Sequence, residues 1–191
     1  MCRIRIECED VYLREFEAAD LEAFHSLTWQ PEIYEYLPGW NVSLEQRTDW
    51  FMNYELPENA EFFQAVADGR DVGELRLRLA IILRETGELI GWCCSGIKDE
   101  LPPQNREVMY AISRDHRGKG YTTQAARGMI GYLFAHTNVQ VLNAVALLGN
   151  AASNRVIRKC GFEGVGKIEI DGEAYKYYRL EKRDWLGRSD E

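Results

Sequence analysis

Arg114-Asp115-His116-Arg117-Gly118-Lys119-Gly120-Tyr121-Thr122-Thr123 reads as the turn between a strand and a helix, and it decides the fold. Before it, Glu107-Val108-Met109-Tyr110-Ala111-Ile112 has the composition of a strand. After it, Ala125, Ala126, Met129, Ile130, Leu133 and Phe134 recur at three- and four-residue spacing. That spacing predicts one buried face of a long helix ending near residue 136. Gly118 and Gly120 flank a single residue, so backbone N–H groups can approach a ligand with no Cβ in the way. The helix start behind them adds unsatisfied donors and a partial positive charge. The combination is an anion site, suited to a phosphate or pyrophosphate.

A second segment reads Asn150-Ala151-Ala152-Ser153-Asn154-Arg155-Val156-Ile157-Arg158-Lys159-Cys160-Gly161-Phe162. It follows a strand expected over 141–147 and closes on a Gly-Phe helix stop. Local rules make Asn150 the N-cap. Together the two segments resemble the GNAT superfamily of acetyl-CoA-dependent N-acyltransferases. The first resembles its pyrophosphate loop, (Q/R)xxGx(G/A). The second resembles the NxxS…KxGF form of the ribosomal-protein N-terminal (RimJ/RimL-like) branch. The likeness extends forward to Val11-Tyr12-Leu13-Arg14-Glu15-Phe16, Ala19-Asp20-Leu21 and Pro31-Glu32-Ile33-Tyr34-Glu35-Tyr36-Leu37-Pro38, which look like that branch's opening strand and first helices. It covers nearly the whole chain.

The resemblance implies an α/β (α+β) fold: a single domain over residues 1–191, its mixed, mostly antiparallel sheet flanked by helices on both faces. It implies acetyl-CoA as acyl donor, a primary amine as acceptor and no metal, and it is compatible with a homodimer. The cofactor would be held by main-chain amides of Arg117, Gly118, Lys119, Gly120, Tyr121 and Thr122, with Ile112 at the end of the preceding strand. Asn150 and Ser153 would meet its pantetheine arm and acetyl end. The chain departs from the family at one place. Asp115 stands where the loop usually has Gln or Arg, so a side-chain contact to phosphate would fall to Arg114 or Arg117.

Moving an acetyl group from a thioester to an amine has three requirements. The amine must lose a proton, the oxyanion needs donors, and the leaving thiolate needs a proton or a hydrogen bond. By resemblance Ser153 serves the thiolate. Many family members use a tyrosine four residues before the Gly-Phe glycine, and Ile157 occupies that position here. A plain helix-start hydroxyl is the alternative for Ser153. Glu107, on the strand before the loop, is the candidate base, directly or through water; a surface strand glutamate is the alternative. His116 lies in the loop, where it could reach only phosphate, and His25 and His136 read as ordinary helix residues.

Composition agrees with this reading. A chain of 191 residues, 46% hydrophobic, can bury one substantial core. Cys2, Cys8, Cys93, Cys94 and Cys160 form no metal-spaced pair. Their odd number, with Cys93 and Cys94 adjacent in an apolar strand, points to reduced thiols and a cytoplasmic protein. Met1-Cys2-Arg3-Ile4-Arg5 lacks an apolar signal core, and no run approaches the ~20 apolar residues that span a bilayer. The net charge is −8, from 23 basic and 31 acidic residues, which argues against nucleic-acid binding. Yet Arg114, Arg117, Lys119 and Arg127 bracket the glycine turn, and Arg155, Arg158 and Lys159 follow in the next helix. A basic island in an acidic chain fits a polyphosphate; a solvated helix face is the alternative.

Elsewhere the pattern predicts a strand over 11–16 and a helical region over 18–37 in which Leu21, Phe24 and Leu27 share a face. Ser43-Leu44-Glu45-Gln46 resembles a capping box. Residues 57–74 are open, and 62–66 fit either a short helix or a strand. A hairpin is expected from 75–84 and 89–97, and closing strands over 164–170 and 174–181. Tyr34, Tyr36, Trp40 and Trp50 are expected to line an acceptor groove or to pack in the core. Three functions compete: acetylation of a protein N-terminus, acetylation of a small amine (polyamine, amino acid or aminoglycoside), and catalytically silent acyl-CoA binding. Retention of Asn150 and Ser153 favours the enzymes.

Overall fold

The computed structural model describes residues 4–187. The chain opens with β1 (Arg5–Glu7) and β2 (Val11–Glu15), paired antiparallel. A 3-10 turn leads into α1 (Leu21–Thr28), and α2 (Pro31–Tyr34) follows. The helical region expected over 18–37 is therefore interrupted. Pro31 is the reason: the residue before a proline is pushed out of helical backbone, and Gln30 sits at φ −72°, ψ 126°. Proline then restarts the helix at its first position, where no N–H is needed. The expected face survives, with Phe24 and Leu27 buried and Leu21 packed against them.

α3 (Leu44–Trp50) begins where Ser43 Oγ accepts the Gln46 N–H at 3.2 Å, the N-cap half of the expected box. It widens into a π-helical turn at Phe51–Glu55 and continues as α4 (Leu56–Ala67). Pro57 has no N–H to return to the preceding turn, which accounts for the wider turn just before it. The open choice over 57–74 thus resolves as helix through Ala67, with Phe62 and Ala65 fully buried.

The hairpin follows as read, β3 (Leu77–Leu83) with β4 (Leu89–Ile97). Then come β5 (Arg106–Ile112), α5 (Tyr121–His136), β6 (Val141–Leu147), α6 (Ala151–Lys159), β7 (Glu163–Ile170) and β8 (Glu173–Glu181). A last helix, α7 (Lys182–Gly187), is absent from the sequence reading, as is β1. Both are too short to show periodicity. Tertiary contact holds α7 in place: Trp185 packs 6.3 Å from Phe134, ring to ring, and Arg127 lies over its face.

Among the described residues eight strands form one sheet, in the order β1-β2-β3-β4-β5-β6-β8-β7. Every neighbouring pair is antiparallel except β5 and β6. One face carries α5, α6 and the second half of α4 over Leu13, Leu79, Ile81 and Ile90. The other carries α1 and the segment around Phe51 over Ala80, Ile82 and Trp92. Each fully buried Leu, Ile or Phe contributes roughly 1.5–3 kcal/mol. The expected stripe of α5, Ala125 through Phe134, lies entirely in the first core.

The parallel neighbours β5 and β6 meet at a single register pair, Glu107 with Asn143. Asn143 is fully buried there. Its Nδ2 donates to the carbonyls of Gln104 (2.6 Å) and Arg106 (3.1 Å), and its Oδ1 accepts from the Tyr177 hydroxyl at 2.9 Å. Beyond this joint both strands run on without pairing each other. A cleft opens between them.

Candidate active site

The cleft has a volume of about 560 Å³ and collects segments far apart in the chain. β5 forms one wall from Glu107 to Ile112, and Val145–Leu147 of β6 with the start of α6 forms the other. The glycine turn closes one end. Glu32, Ile33, Tyr36 and Leu37, from α2 and the turn after it, stand over it. The size falls in the range of ordinary ligand pockets.

Gly118 and Gly120 both adopt left-handed backbone, at φ +77° and +86°. Gly120 is the N-cap of α5, and a Cβ built at either glycine meets no atom within 4 Å. The turn therefore presents open backbone beside a sixteen-residue helix, the physical requirement of an anion site. Arg117, Gly118, Gly120, Tyr121 and Thr122 line the cleft; Arg114 and Lys119 do not. Arg114 instead lies 3.7 Å from Asp115, and its N–H donates to Gln30. Arg117 turns its guanidinium toward the Glu32 carbonyl, clamping α2 to the loop. The basic side chains that do line the cleft are Arg155 and Lys159 of α6, together with Arg117. A pyrophosphate fits this end, with backbone donors from the turn and cations from α6.

Asn150 caps α6, its Oδ1 accepting the Ser153 N–H at 3.0 Å. One turn on, Asn154 holds the helix to the sheet. Its Nδ2 donates to the carbonyls of Leu147 and Asn150, and its Oδ1 accepts from the Tyr178 hydroxyl at 2.7 Å. Ser153 Oγ faces β5, where the Tyr110 hydroxyl lies 3.2 Å away. Ile157, at the position where the resembled family often has a tyrosine, lines the cleft and is otherwise buried in the core. In the sequence Tyr110 stands out only as a strand residue. An aromatic at alternate spacing reads as core, and nothing local marks its pairing with a residue forty-three positions later.

Glu107 lies at the closed end of the cleft, opposite Gly96 of β4. Burial is the main influence on its carboxyl and pushes it up to about 7; Lys98 and Arg76 pull the other way. Gly96 has a steric role here. A Cβ at that position would lie 2.8 Å from Arg76 Cγ, so its absence lets the arginine stem cross β4 beside Glu107. A carboxyl that exchanges a proton near neutrality, at a cleft wall, is equipped for acid–base work.

Of Tyr34, Tyr36, Trp40 and Trp50, expected in an acceptor groove or in the core, Tyr36 lines the cleft and Tyr34 does not. Trp40 instead stacks on Trp92 at 5.2 Å, and Trp50 lies near Arg47, away from the cleft. His116 lines the cleft, and its Nε2 is 3.7 Å from Glu88. His25 instead meets the Val42 carbonyl. Cys8, Cys93, Cys94 and Cys160 are free thiols, and Cys2 lies outside the described residues. Among the described residues no helix is long and apolar enough to cross a membrane, and no cluster of His, Cys, Asp or Glu could hold a metal ion.

Comparison with known proteins agrees with this geometry. Residues 10–163 match the family model of the acetyltransferase (GNAT) domain. The uncharacterized N-acetyltransferase p20 of Bacillus licheniformis is 25% identical over 94% of this chain and 97% of its own. Among solved structures, the ribosomal-protein-S5-alanine acetyltransferase of Vibrio fischeri superposes with a TM-score of 0.75 at 17% identity, covering 95% of this chain and 98% of that one. AAC(6')-Ib in complex with ribostamycin and coenzyme A gives 0.74 at 18% identity, covering 93% and 97%. The chain belongs to the GNAT acetyltransferase family. It is an acetyl-CoA-dependent N-acetyltransferase.

Proposed function

We propose that this chain, acting as a single domain in the cytoplasm, acetylates the free N-terminal amine of a protein or peptide. The observation that carries the reading is Glu107, a cleft-wall carboxyl that burial poises at about 7. A peptide N-terminus has an ordinary pKa of about 7.7–8.0, close to that base, whereas a lysine amine lies near ~10.4. A base near neutrality is matched to the first and poorly matched to the second. The likeness to the ribosomal-protein branch in Asn150, Ser153 and Lys159-Cys160-Gly161-Phe162 supports the same acceptor.

In this reading the amides of residues 117–122 and the side chains of Arg155 and Lys159 hold the pyrophosphate of acetyl-CoA. The open edge of β5 toward Ile112 and the amide of Asn150 flank the pantetheine arm. Glu107 takes the amine proton, and Ser153 donates a hydrogen bond to sulfur as the thioester opens. Thiol release from acetyl-CoA tests it, comparing a lysine-free peptide bearing a free N-terminus with an N-blocked counterpart containing lysine. Transfer to the first is expected. Transfer to the second alone refutes the N-terminal acceptor.

One observation favours a second reading. Glu32 Oε2 is buried in the cleft lining with no hydrogen-bond partner among the described residues. A carboxylate oxygen in that position is suited to an ammonium group, as a polyamine or aminoglycoside would supply; AAC(6')-Ib, by its complex with ribostamycin, binds such a molecule. Faster transfer to spermidine than to any peptide, abolished by Glu32→Gln, would establish this alternative.

A further inference from the structure

Ser153 does not stand alone in the cleft. Tyr110 shares the β5 face of Val108 and Ile112 and reaches across to α6. Its hydroxyl lies 3.2 Å from Ser153 Oγ and 3.2 Å from the Ser153 carbonyl oxygen. A phenol has one proton to donate and lone pairs to accept with. Three oxygens so placed have two complete arrangements. In one, Tyr110 donates to the carbonyl and accepts the Ser153 hydroxyl proton, so serine has nothing to offer a ligand. In the other, Tyr110 donates to Ser153 Oγ, and the serine O–H is free to point into the cleft and donate there. The exchange costs little, because a carbonyl in the first turn of a helix keeps its own bond to the N–H one turn on.

We infer that Tyr110 is a positioning residue of acetyl transfer, its hydroxyl turning Ser153 from a closed state to one that donates to the leaving sulfur. The inference rests on the role given to Ser153 above. As the acceptor nitrogen attacks the thioester carbon, a C–N bond forms and the C–S bond breaks with its electron pair left on sulfur. The amine gives one proton to Glu107, and the thiolate gains one from solvent. Tyr110 and Ser153 keep their own protons throughout and supply hydrogen bonds only. Burial raises the Tyr110 phenol above its ordinary range, with the Ser153 contact opposing, so it remains protonated at any working pH. A chain of two hydroxyls polarised in one direction is a stronger donor at its end than a single hydroxyl.

The test is steady-state thiol release by wild type, Tyr110→Phe, Ser153→Ala and the double variant. It uses whichever amine the wild-type protein acetylates fastest, because the relay concerns the leaving group and not the acceptor. Phenylalanine keeps the ring's packing, so CoA affinity and melting temperature should match wild type. Tyr110→Phe should lower kcat roughly tenfold, the scale of one hydrogen bond, with KM for acetyl-CoA within about twofold. The double variant should be no slower than Ser153→Ala alone, since the phenol acts only through that serine. Ser153→Ala slow with Tyr110→Phe at the wild-type rate overturns the relay alone. Losses that multiply in the double variant do the same, by showing that Tyr110 acts independently. Wild-type turnover in Ser153→Ala overturns the role of Ser153 and the relay with it.

Discussion

Asn143 faces Glu107 at the one register pair that joins β5 to β6, and this joint is the hinge point of the cleft. The amide locks two halves of the sheet with three hydrogen bonds, to Gln104, Arg106 and Tyr177. The carboxylate next to it is thereby held at the closed end of the opening.

Replacing Asn143 by Ala should leave the Tyr177 hydroxyl and two carbonyls short of partners in a buried site. Each unsatisfied buried group costs about 1–3 kcal/mol, and partial rearrangement should bring the total to about 2–3 kcal/mol. For a chain of this size that lowers the melting temperature by roughly 5–10 °C. Tyr177→Phe removes one of the three bonds and should cost about 1 kcal/mol. Denaturant melts of both variants check the ranking; an equal or larger loss in Tyr177→Phe would contradict it.

Glu107 makes two linked predictions about pH. Its carboxyl is raised from 4.5 to about 7 by burial, so the folded state retains a proton that the unfolded chain has lost between those values. Stability should fall as pH rises through that window, and Glu107→Gln should remove this fall. The variant should then be more stable than wild type at pH 8 by ~1–3 kcal/mol and equal to it near pH 4. In activity, kcat/KM should rise through pH ~7 as the carboxyl ionises, and the glutamine variant should lose that limb.

Gly120→Val tests the anion site. Left-handed backbone at φ +86° is strained for valine by roughly 1–2 kcal/mol, and the side chain would occupy the space a phosphate approaches. No protein atom lies within 4 Å of the added Cβ, so the fold itself has room. CoA affinity measured by calorimetry should fall more than about tenfold while the far-ultraviolet spectrum is unchanged. Wild-type affinity would move the pyrophosphate elsewhere.

Lys159→Ala and Arg155→Ala should each weaken CoA binding by roughly two- to fivefold, the scale of a solvent-exposed charge pair. The loss should shrink as salt is added, since these are screened contacts. Arg114→Ala and Lys119→Ala, whose side chains do not line the cleft, should leave affinity near wild type. A reversed ranking between the two pairs would place the phosphates on the other side of the turn.

Local chemistry alone determined most of the elements. The stripe of α5, the Gly118–Gly120 turn, the β3–β4 hairpin and the Asn150 cap each depend on residues within a few positions of one another. Such signals survive in a one-dimensional reading because helix and strand periods are set by backbone geometry. The interruption at Pro31 and the wide turn before Pro57 were also written locally, although the periodicity ran over them. Tertiary structure decided the rest. That Arg155 and Lys159 line the cleft while Arg114 and Lys119 do not depends on how α6 and the loop are set against the sheet. The pairing of Tyr110 with Ser153, the single joint of Glu107 with Asn143, and the burial that raises Glu107 join positions more than thirty residues apart. Desolvation and long-range hydrogen bonds belong to the packed molecule. The carboxyl of a strand glutamate rises to about 7 only when the sheet closes around it.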